Sequence, residues 1–138
     1  MGLILDSSVV IAAERRGETI PQLLREIVAA VDDQRVVLSA IGLTELVHGI
    51  YRAKSATSLS RRNTFILELL NVVDVCPYTK ETAMLAGKID GEQQGRGITV
   101  PFTDLLIGAT ALEIGYSLLT VNARHFRLIP GLNVLQFS

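Results

Sequence analysis

The hydrophobic positions of the chain alternate between short continuous runs and stripes of helical period. Leu3–Leu5 and Val36–Leu38 are continuous apolar runs of the length that is typical of buried strands. Between them, from Ile20 to Val31, apolar residues recur every three or four positions. This spacing predicts an amphipathic helix, and Pro21 suits its first turn. The N-terminal part of the chain is therefore predicted to run from strand to helix to strand.

The same alternation continues through the rest of the chain. A helix is predicted around Glu45 and His48, and further helices over 58–70, 79–94 and 101–115. Further strands are predicted over 72–76, which Pro77 stops, and over 117–120 and 133–137. The helix over 101–115 is apolar nearly all round, so we expect it to be buried on more than one side.

Strands that alternate with helices indicate right-handed crossovers and a parallel sheet. The predicted fold class is therefore α/β. The sequence contains no internal repeat, no low-complexity segment and no linker rich in Pro, Gly or Ser. We therefore expect a single domain over residues 1–138.

Composition excludes several classes of protein. Of the 138 residues, 49% are hydrophobic and 20% are charged, which is not the composition of a disordered or fibrous chain. The single cysteine, Cys76, cannot form an internal disulfide and fits a reducing compartment. The longest charge-free apolar stretches are far shorter than the roughly 20 residues that cross a bilayer. The start, MGLILDSSVV, has no basic region typical of a signal peptide. We expect a soluble cytoplasmic protein with no membrane partner.

The net charge of −1 conceals an uneven distribution of charged residues. Between Leu46 and Leu67 there is no acidic residue, and after Glu113 there is none at all. The first of these stretches contains the basic residues Arg52, Lys54, Arg61 and Arg62, and the second contains Arg124 and Arg127. One hypothesis is that two basic patches flank an acidic site. The alternative is an ordinary scatter of surface charge.

Polar residues lie where the predicted strands end, which is where open parallel sheets bind ligands. Asp6 follows the first strand and Asn122 follows the strand over 117–120, while Glu45 and Asp104 come early in two helices. The three carboxylates have apolar neighbours, and no Lys or Arg lies within six positions of Glu45 or Asp104. A carboxylate near a core needs a partner or a metal ion. An all-oxygen set suits Mg²⁺ or Mn²⁺, whereas one cysteine and two distant histidines do not suit zinc.

Each acidic residue also has a purely structural interpretation. Asp6 could cap the helix that begins at Ser7 and Ser8, and those serines could act as caps themselves. Glu45 could be a solvated position on an amphipathic helix, and Asp104 could interact with a helix dipole. Asn122 could be a turn residue.

The two histidines are given structural interpretations as well. His48 lies three residues after Glu45 on the same helix face, but such a pair alone is a weak metal signal, and packing is favoured for it. His125, beside Arg124, is interpreted as a surface residue rather than a general base.

Four segments together resemble a known family. The segments LILDSSVVIA, SAIGLTELVHGI, GITVPFTDLLIGATAL and LLTVNARHFRLIPGLNVL resemble, in order and spacing, the motifs of PIN-domain ribonucleases, and VapC-type toxins above all. The resemblance runs from residue 3 to residue 137. It implies a three-layer α/β/α sandwich with a parallel sheet of about five strands. It also implies a Mg²⁺-dependent endoribonuclease toxin, usually a homodimer, that a cognate VapB-type antitoxin neutralises.

The resemblance assigns roles to individual residues. Asp6, Glu45 and Asp104 match the first three acidic positions of the family and would hold the metal ion, Glu45 directly or through water. Asn122 stands at the fourth position, which is often Asp, so one negative charge is missing there; Asp90 is a reserve acid. The implied reaction is hydrolysis of an RNA phosphodiester by water, leaving 5′-phosphate ends. The basic residues of the first patch would contact RNA phosphates: Arg52, Lys54, Arg61 and Arg62.

Three alternatives remain beside a toxin nuclease. The chain could be a PIN-domain nuclease of RNA processing, which the absence of a neighbouring antitoxin gene would favour. It could be a catalytically weak PIN domain that serves as a binding module. A receiver-like signalling domain also places acids at strand ends, but Cys76-Pro77 and Asn122 stand where its phosphoacceptor and lysine would be.

Overall fold

Strands and helices alternate along the whole chain in the computed structural model, which describes residues 1–138. The strands are β1 (Gly2–Leu5), β2 (Arg35–Ser39), β3 (Asp74–Cys76), β4 (Ser117–Thr120) and β5 (Val134–Gln136). The helices are α1 (Ser7–Arg15), α2 (Ile20–Val31), α3 (Ala40–Tyr51), α4 (Ala56–Leu70), α5 (Lys80–Gly95), α6 (Phe102–Ile114) and α7 (Ala123–Phe126).

The five strands form one parallel sheet in the order β3-β2-β1-β4-β5. β1 is the central strand: Leu5 pairs with Leu38 of β2 on one side and with Leu119 of β4 on the other. The chain fills one half of the sheet up to β3 and then crosses to the other half at β4. The strand order therefore reverses between β1 and β4, and ligands of open parallel sheets bind in the crevice at such a point.

Two hydrophobic clusters cover the two faces of the sheet. Leu3 and Leu5 of β1 point into a cluster with α1, α2, α3 and α4, whereas Ile4 points into a cluster with α5, α6 and α7. All three side chains are fully buried. Because successive residues of a strand point to opposite faces, a fully apolar strand is needed to support both layers. The predicted α/β/α sandwich with a five-stranded parallel sheet is confirmed.

Helix boundaries follow from local capping. Thr19 and Gln22 form a reciprocal capping box at the start of α2, with Pro21 in its first turn as predicted. Ser55 caps α4, which begins at Ala56, two residues before the predicted start at Ser58. Gly115 ends α6 in the left-handed conformation, with φ of 73°, that glycine adopts without strain.

Two strands are shorter than predicted. β3 begins at Asp74 rather than Val72, because the amides of Val72 and Val73 bond to the Leu69 carbonyl and continue the end of α4. β5 covers only Val134–Gln136 of the predicted span over 133–137. Two helices, α1 and α2, lie between β1 and β2, where the periodicity predicted one. The short helix α7 was not predicted, since four residues are too few for a visible helical period. No helix combines the length and the hydropathy that a transmembrane span requires.

Candidate active site

The three predicted acids and Asn122 line one cleft at the carboxyl edge of the sheet. The cleft has a volume of about 590 Å³ and lies where the strand order reverses between β1 and β4. Asp6 comes from the end of β1, and Glu45 and Asp104 come from helices on opposite faces of the sheet. The residues that share this cleft with them are Ser7, Ser8, Ile11, Val121, Asn122, Ala123, Arg124, His125, Phe126, Arg127 and Gln136.

Asp6 is buried, and hydroxyl groups hold its carboxylate. The Oδ2 atom accepts hydrogen bonds from Ser8 Oγ at 2.5 Å and from Thr120 Oγ1 at 2.9 Å. Thr120 is fully buried at the end of the neighbouring strand β4. Although Asp6 stands at the N-cap position of α1, its side chain makes no capping hydrogen bond. The interpretation of Asp6 as a helix cap is therefore wrong, and its carboxylate is fixed at the sheet edge.

Glu45 lies in α3, which follows β2 directly because Ser39 caps the helix. Ser7 Oγ donates to Glu45 Oε1 at 2.8 Å, so this serine holds a carboxylate rather than capping a helix. Glu45 is half-buried rather than solvated. Burial, followed by the charges of Asp6 and Asp104, raises the pKa of the Glu45 carboxyl, while the Ser7 hydrogen bond lowers it.

Asp104 lies in the first turn of α6, as its helix-dipole interpretation requires, and it also faces the cleft. His125 of α7 contacts it, with 3.2 Å between His125 Nδ1 and Asp104 Oδ2. Burial and the charge of Asp6 raise the pKa of the Asp104 carboxyl, and the His125 hydrogen bond lowers it. His125 is partly exposed, but it is part of the cleft rather than an isolated surface residue.

Asn122 is an exposed residue of the loop between β4 and α7. Its backbone N–H donates to Thr120 Oγ1 at 3.0 Å. Gln136 of β5 braces the same loop, since its amide group accepts from the Ala123 N–H and donates to the Val121 carbonyl. The loop that presents Asn122 to the cleft is thus held from both neighbouring strands.

The cleft contains an acidic cluster that has no lysine or arginine partner. None of the ion pairs within the chain joins a Lys or Arg to Asp6, Glu45 or Asp104. Each of the three carboxylates uses one oxygen for a bond inside the chain, and its second oxygen has no partner there. The structure does not gather three His, Cys, Asp or Glu side chains as closely as a metal cage does. An open set of oxygens suits a cation that keeps part of its water shell, as Mg²⁺ does.

The predicted RNA-binding residues do not line the cleft. Arg61 pairs with Glu14 at 3.2 Å, and Arg62 donates to the Gly49 carbonyl at 2.7 Å. Arg52 and Lys54 are exposed after the end of α3. The reserve acid Asp90 lies outside the cleft and accepts from Gln94. The role of these basic residues in RNA binding stays a prediction.

Sequence reasoning missed the residues that position the acids. The sequence predicts no role for Thr120 or Gln136, a helix-capping role for Ser8 and a surface position for His125. The signal that could have found Thr120 is its place at the last position of a buried strand, two residues before Asn122. His48 is exposed rather than packed, and it lines a second depression that adjoins Glu45.

Comparison with known proteins gives a consistent result. Residues 3–132 match the PIN domain family. Ribonuclease VapC1 of Rickettsia felis is 33% identical over 138 residues, which cover 100% of this chain and 98% of the relative. Ribonuclease VapC of Rickettsia bellii is 36% identical over 135 residues, covering 98% and 96%. The crystal structure of VapBC2 from Rickettsia felis, bound to a DNA fragment from its promoter, contains a chain with a TM-score of 0.86, 19% identity and complete mutual coverage.

Proposed function

The chain belongs to the PIN domain family and, within it, to the VapC ribonucleases. From this we propose that it is a metal-dependent endoribonuclease that acts as the toxin of a toxin–antitoxin pair. One observation carries the proposal. Asp6, Glu45 and Asp104 enter one cleft from three separate elements, and each keeps one carboxylate oxygen without a partner in the chain.

The donor set fits Mg²⁺, with Mn²⁺ as a substitute. Hard divalent cations prefer carboxylate oxygens, and this cleft offers three without a competing sulfur ligand. The raised pKa values of Glu45 and Asp104 arise from burial and from the other carboxylates, which is the repulsion that a bound cation offsets. Asp6 and Asp104 would hold the ion directly, and Glu45 directly or through water.

The side chains of the cleft have separate tasks in the proposed reaction. A bound divalent cation supplies Lewis acidity, which activates water and offsets charge on the reacting phosphate. Ser8 and Thr120 keep Asp6 in one orientation, and Ser7 does the same for Glu45. Asn122 faces the cleft as a neutral side chain, so it can donate a hydrogen bond to a phosphate oxygen. Attack by water rather than by the ribose 2′-hydroxyl leaves 5′-phosphate and 3′-hydroxyl ends.

A VapB-type antitoxin is the proposed protein partner. A small depression between α1, α3 and α4 has the apolar side chains of Val10, Ile11, Leu46 and Ile66 in its lining, beside Glu14, Arg15, Gly49 and Arg62. Ile11 also lines the acidic cleft, so the two adjoin. An antitoxin segment lying in this depression could place a basic side chain among the three acids and block the site.

We further propose a cytoplasmic homodimer, with a larger assembly when the antitoxin is bound. Tyr51, Met84 and Phe102 are large apolar side chains that are more than two-thirds exposed, and burial of these side chains would favour an interface between two copies of the chain. Light scattering during gel filtration measures the mass directly. A monomer at micromolar concentration would contradict this part of the proposal.

The central test is RNA cleavage by purified, antitoxin-free protein. We expect total cellular RNA to be cut with Mg²⁺ or Mn²⁺ and to stay intact with EDTA or with Asp6→Asn. Asp90→Asn is the matched control, because Asp90 carries the same charge outside the cleft. The new ends should carry 5′-phosphates. A folded protein that cuts no RNA with any divalent metal would favour the binding-module alternative instead.

A processing nuclease and a toxin differ in their effect on growth. Expression of a toxin alone should arrest growth, and co-expression of the antitoxin encoded beside it should relieve the arrest. A cleaving enzyme whose expression leaves growth unaffected would favour the processing nuclease.

A further inference from the structure

Two arginines on the rim of the acidic cleft are not used by the proposed metal site. Arg124 lies in α7 and Arg127 directly follows that helix. They are the only Lys or Arg residues that line the cleft. Both are exposed, and neither forms an ion pair with a carboxylate of the chain.

We infer that Arg124 and Arg127 bind backbone phosphates of the RNA strand beside the scissile bond, on the α7 side of the cleft. The inference rests on the proposed ribonuclease function and names the residues that hold its substrate. The planar guanidinium group presents paired donors to phosphate oxygens, which suits it to this task better than a lysine ammonium.

The charge balance of the cleft calls for such residues. Three carboxylates line it, and a polyanion that enters it is repelled by each of them. Neither guanidinium group lies within ion-pair distance of Asp6, Glu45 or Asp104. They are therefore free to neutralise phosphates at the rim while the acids remain available for the metal ion.

The side of the cleft next to Glu45 differs from the α7 side in its basic residues. The depression that adjoins Glu45 is lined by Ser7, Ile11, Ile41, Thr44, Glu45, His48, Gly49 and Thr103, with no Lys or Arg among them. On the side of the cleft next to Glu45, this depression therefore offers no guanidinium or ammonium group to a phosphate, whereas the α7 side offers two.

The experiment compares pairs of substitutions in the full chain by their salt dependence. The probe is a short fluorescein-labelled RNA stem-loop of mixed sequence, titrated with protein in EDTA, where it is not cut. Fluorescence anisotropy gives the association constant between about 50 and 200 mM KCl. We expect Arg124→Ala with Arg127→Ala to reduce the slope of log K against log salt by about 1 to 2, since each phosphate contact contributes about 0.7 to 0.9.

Two further pairs identify the cause of that change. Arg124→Lys with Arg127→Lys keeps the charge, and we expect it to restore most of the slope. Arg25→Ala with Lys80→Ala is the matched control, because both residues are exposed, unpaired and outside the cleft. This control should leave the slope and the cleavage rate as in the wild type. Circular dichroism checks that every variant is folded.

The outcomes separate this inference from the proposed function. If the wild type cuts RNA but the alanine pair at the cleft keeps the full slope, the inference is overturned and the nuclease stands. The same holds if Arg52→Ala with Lys54→Ala reduces the slope and the cleft pair does not. If the wild type neither binds nor cuts RNA, the proposed function fails and the inference fails with it.

Discussion

In the carboxylates of the cleft, one oxygen accepts hydrogen bonds that fix the side chain, and the other oxygen has no partner within the chain. Ser8 and Thr120 occupy Oδ2 of Asp6, and Ser7 occupies one oxygen of Glu45. Hydroxyl groups fix the orientation of a carboxylate without neutralising its charge, which a lysine or arginine would do. The protein therefore keeps three negative charges close together, at a cost in stability that appears in the raised pKa values of Glu45 and Asp104.

Neutralising either of these carboxylates should stabilise the metal-free protein and abolish cleavage. Glu45→Gln and Asp104→Asn keep the shape of the side chain and remove a repelled, half-buried charge. We expect each variant to raise the melting temperature in EDTA by a few degrees, roughly the effect of 1 kcal/mol. Differential scanning calorimetry measures this rise, and Asp90→Asn is the control that should not show it. A lower melting temperature for both variants would contradict the interpretation.

The same pKa values predict how the stability gain depends on pH. A carboxyl whose pKa is raised by folding releases its proton more readily when unfolded, so ionisation destabilises the fold. The destabilisation is absent below the ordinary pKa values, 4.5 for Glu45 and 3.8 for Asp104, and is complete above the raised ones. The stability difference between Asp104→Asn and the wild type should therefore grow as pH rises through this window and then level off. A difference that is largest at acid pH would refute the assignment.

At the scale of single elements, helix α6 shows how one small residue allows a helix to pack closely against a neighbouring segment. The sequence predicted correctly that this helix is buried on several sides, and Gly108 is the reason it can approach the segment after α7. A Cβ atom at Gly108 would overlap Ile129 Cδ1 and lie 3.2 Å from Leu132 Cδ2. The glycines Gly87 and Gly91 of α5 face open space instead.

Alanine should therefore have opposite effects in the two helices. Gly91→Ala adds helix propensity with no steric conflict, and we expect a gain of about 0.5 to 1 kcal/mol in the free energy of unfolding. Gly108→Ala gains the same propensity but forces the buried Ile129 and the partly buried Leu132 to move, for a net loss of about 1 to 2 kcal/mol. Urea denaturation measures both. A stabilising Gly108→Ala would mean that the segment after α7 yields easily.

Helices α4 and α7 provide a second contrast, between an arginine with a hydrogen-bond partner in the chain and an arginine without one. Arg62 donates to the Gly49 carbonyl of α3, so Arg62→Ala should cost about 1 to 2 kcal/mol of stability. Arg124→Ala removes no intrachain hydrogen bond and should stay within about 0.5 kcal/mol of the wild type. Chemical denaturation of the two variants side by side tests this. An equal loss in both would show that Arg124 also has a structural partner.

At the scale of the whole molecule, the sequence was sufficient to predict the layers of the fold but not the side-chain contacts within the cleft. Continuous apolar strands and amphipathic helices are periodic, so β1, α2 and the parallel sheet were predicted correctly. Asp6 was singled out because it ends a predicted strand, and Glu45 and Asp104 because they are acids with apolar neighbours early in helices. Contacts such as Thr120 with Asp6 or His125 with Asp104 join residues far apart in the chain, and no local pattern records them.

The three acids of the cleft come from both helical layers of the fold and from the sheet between them. Glu45 belongs to α3 on one face of the sheet, Asp104 to α6 on the other, and Asp6 to the sheet edge between them. A divalent ion held by all three would connect both hydrophobic clusters in the native state and would have no such site in the unfolded chain. Ligands that bind only the native state raise its stability by mass action, by about 2.7 kcal/mol at one hundred times the dissociation constant.

Magnesium should therefore shift a single thermal transition as a whole. We expect one calorimetric peak whose melting temperature rises with Mg²⁺ concentration, on the order of 10 °C near saturation. Because both faces of the sheet share its central strand, circular dichroism and tyrosine fluorescence should report the same midpoint at every concentration. Asp104→Asn should lose the Mg²⁺-dependent rise, whereas Asp90→Asn should keep it. A rise that survives in Asp104→Asn would place the ion elsewhere, and a peak that splits on adding Mg²⁺ would show that the ion stabilises only one layer.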